Sequence, residues 1–301
     1  MVTLRSVLCP IDFSDQSRDA LQWALALAAQ HHSRLTVFTS VEPLLAEAVK
    51  ARFDMDLVES DTKPALEHFV KTALPEPVAC SPETAFQVGV GKASELILEA
   101  AAREHADVIV MGTHGLGGFR KLLLGSTTER VLRRTRTAVL AVPRVKTHAV
   151  VLGKSGPRLE LKSILVGTDF SEASAAAVRW AVDVAEQLHV PVVLSHVVTP
   201  IVVPSRWQSD VADIEEERYR CARTRLTALS ATVKKGGPCD SVVAIGRPAE
   251  SLAATAEERD AGLIVVGLMG EEGGRTVRPG SIAYRLLCLA HVPVLVVPPS
   301  S

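Results

Sequence analysis

Short, uninterrupted apolar runs alternate along this chain with longer stretches of helical period, and the whole alternation occurs twice. Ser6-Val7-Leu8-Cys9 and Ser163-Ile164-Leu165-Val166 suit strands buried on both faces of a parallel sheet. Each leads into Asp-Phe-Ser, whose serine can cap a helix, and the apolar spacing then predicts helices over about 15–31 and 172–188. Residues 35–41 and 192–198 predict a second strand, 85–88 and 242–245 a third, 108–111 and 263–266 a fourth, and 138–142 and 294–297 a last. Helices are predicted over 93–104 and 248–259 and after a glycine-rich loop that follows the fourth strand. The segments 44–75 and 206–235 carry helical content, differ most between the halves, and are candidate partner surfaces.

The repetition extends to single residues. Asp12-Phe13-Ser14 recurs as Asp169-Phe170-Ser171, and Trp23-Ala24 as Trp180-Ala181. Gly112, Gly115 and Gly125-Ser126 recur 155 residues later as Gly267, Gly270 and Gly280-Ser281. Strands alternating with helices imply right-handed crossovers and a sheet covered on both faces. The expectation is an α/β chain of two tandem open-sheet domains, 1–144 and 161–301, with a linker over 145–160 marked by Gly153, Gly156 and Pro157.

Composition narrows the function classes. The 301 residues allow two domains of about 150 each, and 47% of them are hydrophobic, enough for large cores. A formal net charge of -1 argues against nucleic acid or an anionic membrane as partner. The five cysteines (Cys9, Cys80, Cys221, Cys239 and Cys288) are scattered and form no CxxC pair, which reads as reduced thiols and not as a disulfide or zinc framework. The N-terminus carries no long apolar region of a secretory signal and the chain no membrane-length apolar run, so a cytoplasmic location is expected.

Ligands of open α/β sheets sit beyond the carboxyl ends of the strands. Two loops of the first half meet there: Pro10-Ile11-Asp12, and the stretch from Gly112-Thr113-His114-Gly115 to Gly125-Ser126-Thr127-Thr128. Glycines permit close backbone approach, and Gly125-Ser126-Thr127 opens a helix whose unpaired N–H groups and dipole favour a phosphate. Arg120 and Lys121 add positive charge. A glycine-rich turn with an ordinary cap would look similar in one copy; the spacing Gly-x2-Gly-x9-Gly-Ser in both halves weighs against it. His114 either touches a ligand or only bonds within the loop. Gly89-Val90-Gly91-Lys92-Ala93-Ser94 lacks P-loop spacing and reads as a helix start, and His31-His32 reads as a helix end, not a metal pair.

Gly112-x2-Gly115-x9-Gly125-Ser126, followed by Glu129-Arg130-Val131-Leu132 and Ala138-Val139-Leu140-Ala141-Val142-Pro143, resembles the signature of the universal stress protein family, and Asp12-Phe13-Ser14 fits it. The resemblance covers both halves and implies, for each, a Rossmann-like, mostly parallel five-stranded sheet that binds ATP, with Mg²⁺ or Mn²⁺ held through the phosphates and not by protein ligands alone. It places Asp12 and its neighbour Pro10 toward the nucleoside, Val41 in the adenine pocket, Gly112 and Gly115 near ribose and phosphate, and Gly125, Ser126 and Thr127 on the phosphates, with Met111 and His114 as further candidate contacts to the nucleotide. The matching positions of the second half are Asp169, Val197, Gly267, Gly270, Gly280, Ser281 and Ile282. There Glu271 and Glu272 offset Arg275 and Arg278, and Pro279 stiffens the loop, so the first site is expected to be the stronger. The leading reading is an ATP-binding regulatory protein of stress or dormancy responses, for which a homodimer and a protein partner are candidate assemblies that the sequence does not decide. A slow ATPase or autokinase with Ser126 or Thr127 as acceptor, and a nucleotide-independent adaptor, stay open beside it.

Overall fold

A computed structural model describes residues 4–52, 57–73, 83–113, 124–144, 149–153, 156–202, 208–233, 237–269 and 281–299. The chain divides into two compact units, Thr3–Glu160 and Leu161–Ser301.

In the first unit β1 (Ser6–Pro10), β2 (Arg34–Val41), β3 (Thr84–Val90), β4 (Val108–Gly112) and β5 (Ala138–Val142) form a parallel sheet in the order β3-β2-β1-β4-β5. Continuous apolar sequence makes the inner strands: Val7, Leu8, Cys9 and Val108 to Val110 are wholly inaccessible to solvent, as strands covered on both faces must be. The helices α1 (Asp15–His31) and α3 (Leu57–Ala73) pack against each other, as do α4 (Ala93–Arg103) and α5 (Ser126–Arg134). Right-handed crossovers put the two pairs on opposite faces. Ser14 starts α1 by accepting a hydrogen bond from Ser17 N, and His32 ends it in the left-handed region at φ 52°. The segment expected to be helical over 44–75 holds α2 (Pro43–Arg52) and α3.

The stretch expected to be a linker is more than a connection. Val150–Gly153 (β6) and Gly156–Leu159 (β7) pair as an antiparallel hairpin that packs on α1. Leu159 and Pro157 are buried, and Gly156 takes φ 113°, which favours glycine. Gly153, Gly156 and Pro157 are turn chemistry inside a hairpin of the first unit, and the boundary falls after Glu160.

The second unit repeats the plan with β8 (Ile164–Gly167), β9 (Val192–Val198), β10 (Cys239–Ile245), β11 (Leu263–Gly267) and β12 (Val294–Val297), parallel in the order β10-β9-β8-β11-β12. Its helices are α6 (Glu172–Leu188), α7 (Gln208–Val233), α8 (Pro248–Glu258) and α9 (Ser281–Leu289). One helix of 26 residues, α7, stands where the first unit has α2 and α3. Among the described residues no helix is long and apolar enough to cross a membrane.

Candidate nucleotide site

In each sheet the strand order reverses at the centre. From β1 the chain proceeds outward to β2 and β3, then returns to β4 on the other side of β1. The crevice at such a reversal lies beyond the carboxyl ends of the two central strands. Val7 and Leu8 are register partners of Val108 and Ile109, so the chain segments leaving β1 and β4 emerge side by side.

The segment after β1 is held from two directions. Pro10 is half-buried at the strand end, Ile11 N donates to Phe38 O at 2.7 Å, and buried Thr39 donates its hydroxyl to Ile11 O at 2.8 Å. Asp12 is exposed, but one of its carboxylate oxygens accepts from Ser14 N at 3.1 Å and from the Ser14 hydroxyl. Between them Phe13 sits at φ 62°, a conformation that costs a non-glycine residue roughly 1–2 kcal/mol. Packing offsets the strain: the ring meets Phe69 of α3 edge-on, centroids 5.5 Å apart. Asp12 therefore builds the turn that presents it. Asp169 accepts from Ser171 N at 3.0 Å in the same way, with Phe170 at φ 64°.

β4 ends at buried Met111 and half-buried Gly112, and the following segment begins at Thr113. Thr113 N donates to Val142 O at 3.0 Å, and Thr113 O accepts from Gly125 N at 2.8 Å. Thr128 donates its hydroxyl to Gly112 O at 2.9 Å. These bonds bring the N-terminus of α5 to the end of β4. Gly125 is the N-cap and gives no side-chain cap, and the first helical bond runs from Glu129 N to Gly125 O. The N–H groups of Ser126, Thr127 and Thr128 thus have no partner within the helix. Ser126 is exposed and Thr127 half-buried.

The structure brings Pro10, Asp12, Met111, Gly112, Gly125, Ser126 and Thr127 to one edge of the first sheet. His114, Gly115, Arg120 and Lys121 lie outside the described residues, as do Gly270, Glu271, Glu272, Arg275, Arg278, Pro279 and Gly280. Val41 ends β2, and its carbonyl accepts from Gly91 N at 3.0 Å. The equivalent bond of the second unit runs from Gly246 N to Val198 O at 3.1 Å, so Val198, not Val197, is the counterpart of Val41. A shift of one residue in a strand turns the side chain to the other face, so Val197 and Val198 face opposite sides of the second sheet. Among the described residues no three His, Cys, Asp or Glu side chains gather as metal ligands.

The second unit differs at the same edge. Where the first has Ile11 and Thr39, it has Thr168 and His196, and the imidazole Nδ1–H of His196 donates to Thr168 O at 2.7 Å. The His196 ring lies 4.6 Å from Phe170, and the Arg225 guanidinium stacks 4.1 Å above the Phe170 ring. Gly267 ends β11, Ser281 starts α9, and Ile282 and Ala283 stand where the first unit has Thr127 and Thr128.

A family model described as the universal stress protein family matches residues 3–143 and 160–298. A universal stress protein of Mycolicibacterium smegmatis is 28% identical over 97% of both chains. The crystal structure of a universal stress protein from Archaeoglobus fulgidus superimposes with a TM-score of 0.65 over 98% of both chains at 19% identity. A universal stress protein solved in complex with cAMP matches 47% of this chain and 98% of its own, at 25% identity and a TM-score of 0.35. With the family model matching both halves, the chain belongs to the universal stress protein family.

Proposed function

We propose that this chain is an ATP-binding regulatory protein of stress or dormancy responses, with the nucleotide held by the first unit. The observation that carries the reading is the start of α5. A glycine N-cap leaves three N–H groups of the first turn without an intrahelical partner, at the crevice where the strand order reverses. A triphosphate supplies the acceptors, and the helix dipole favours its charge. Pro10, Asp12, Val41 and Met111 would receive the nucleoside, with Gly112 and Gly125 to Thr127 along the phosphates. A divalent ion would arrive on the phosphates.

The weaker second site is supported by its side chains. His196 sets an aromatic ring on Phe170 at the position where the first unit has the small Thr39. Ile282 replaces the hydroxyl of Thr127. Turnover has less support, because the carboxylate of Asp12 is engaged in its own turn.

Calorimetric titration of the nucleotide-free chain with ATP and Mg²⁺ tests this. One site per chain is expected. Gly125→Asp should abolish it without unfolding the protein: Gly125 has φ -58° and ψ 138°, which aspartate adopts, and an aspartate N-cap would place its carboxylate on the N–H groups meant for phosphate. The same change at Gly280 should leave the stoichiometry intact. Two sites per chain would refute the asymmetry. No binding would remove ATP and favour a nucleotide-independent adaptor.

A further inference from the structure

Two parts of the candidate site are joined by one buried hydroxyl. Gly112, at the end of β4, belongs to the ribose side, and Gly125 to Thr127 belong to the phosphate side. Thr128 spans them. It is 3% exposed in the first turn of α5 and donates to the Gly112 carbonyl at 2.9 Å. A second bond, Gly125 N to Thr113 O at 2.8 Å, runs parallel to it through the backbone and needs no particular side chain. The side-chain bond depends on residue type, and the second unit lacks it: the position equivalent to Thr128 is Ala283, equally buried at 3% and without a hydroxyl.

We infer that Thr128 is a positioning residue for the triphosphate, fixing the free N–H groups of α5 at a set distance from the end of β4. The inference rests on the reading of the first unit as an ATP site. The physical basis is preorganisation. Donors held in place before binding lose no freedom when the ligand arrives, whereas a helix start tied by one bond must be ordered by the ligand itself. The effect falls on the phosphates and not on the base, because Thr128 acts on the α5 side of the crevice and the base side is tied by Thr39 to Ile11. Ala283 adds to Ile282 a further reason for the second unit to hold phosphates less well.

The test is competition binding of the full chain with two probes, ATP with Mg²⁺ and adenosine. Thr128→Val keeps the volume and removes the hydroxyl. It should weaken ATP by roughly five- to tenfold, the equivalent of one neutral hydrogen bond, and leave adenosine within about twofold. Thr128→Ser keeps the hydroxyl and should bind both probes as the parent does. If Thr128→Val folds poorly, Thr128→Ala, which reproduces the residue of the second unit, gives the same ratio. A parent that binds ATP beside a Thr128→Val whose ATP-to-adenosine ratio is unchanged overturns the role of Thr128 and leaves the site standing. Loss of ATP in Thr128→Ser as large as in Thr128→Val overturns it too, because the site would then respond to any change of the side chain and not to the hydroxyl. A parent that binds neither probe overturns the reading of the site, and this role with it.

Discussion

Gly267 ends β11, and its place against α6 makes a quantitative demand. A methyl group at position 267 would lie 3.0 Å from the Ala173 carbonyl carbon, 3.1 Å from Ser174 N and 3.2 Å from Ala173 Cβ. All three atoms belong to the first turn of α6, and two are backbone, so no side-chain rotation relieves the contact. The strand end or the helix must move by a few tenths of an ångström, and overpacking of this kind costs about 1–3 kcal/mol. Gly262 makes the opposite case. A methyl there would lie closer still, 2.8 Å from Leu161 Cδ2, but the next contact is at 3.5 Å and the offending atom is the end of a side chain that can turn. Neither glycine has a left-handed φ, so backbone strain does not enter. Gly267→Ala should therefore cost about 1–3 kcal/mol and Gly262→Ala less than about 1 kcal/mol. Hydrogen exchange read by mass spectrometry on α6 peptides separates this unit from the other. Gly267→Ala should raise the local opening there roughly five- to 150-fold. Equal acceleration by the two variants, or none by Gly267→Ala, would refute the distinction between backbone and side-chain contact. The contact also gives Gly267 a packing reason to be glycine that involves no ligand.

Glu104 links the amino-terminal edge of the first sheet. Its carboxylate, only 13% exposed, is held below the ordinary range first by a hydrogen bond from Gln87, then by Arg103 and Arg34, against burial acting the other way. A depressed pKa in the folded state stabilises the fold above the ordinary carboxylate range and is lost as pH falls through it. Glu104→Gln should thus lower stability near pH 7 by about 1 kcal/mol, and the difference should shrink in acid; a urea-midpoint difference that stays constant with pH contradicts this. Cys9 is wholly buried and its thiol is pushed up by that burial, whereas Cys221 is exposed on α7. Maleimide labelling with peptide mapping should modify Cys221 in the native protein and Cys9 only after unfolding, and comparable native rates at the two would count against the packing.

The sequence determined the duplicated α/β plan because burial on both faces forces uninterrupted apolar runs, and these are visible without coordinates. It also determined where α1 and α6 begin, since Ser14 and Ser171 cap them through side chains whose only requirement is local. Of the glycine spacing in the first unit, Gly112 and Gly125 fall on described residues, at the end of β4 and the N-cap of α5. Three features belong to the tertiary structure. The hairpin over Val150–Leu159 looked like a linker because glycine and proline signal a turn wherever it sits, and only packing on α1 makes that turn part of a unit. Val198 was missed because the early features repeat at a spacing of 157 residues and the late glycines at 155, so only the strand register shows which spacing β2 obeys. The left-handed Phe13 and Phe170 run against the preference of any bulky residue. Their conformation is decided by Phe69 in one unit and by His196 and Arg225 in the other, partners distant in sequence whose packing outweighs a local cost of roughly 1–2 kcal/mol.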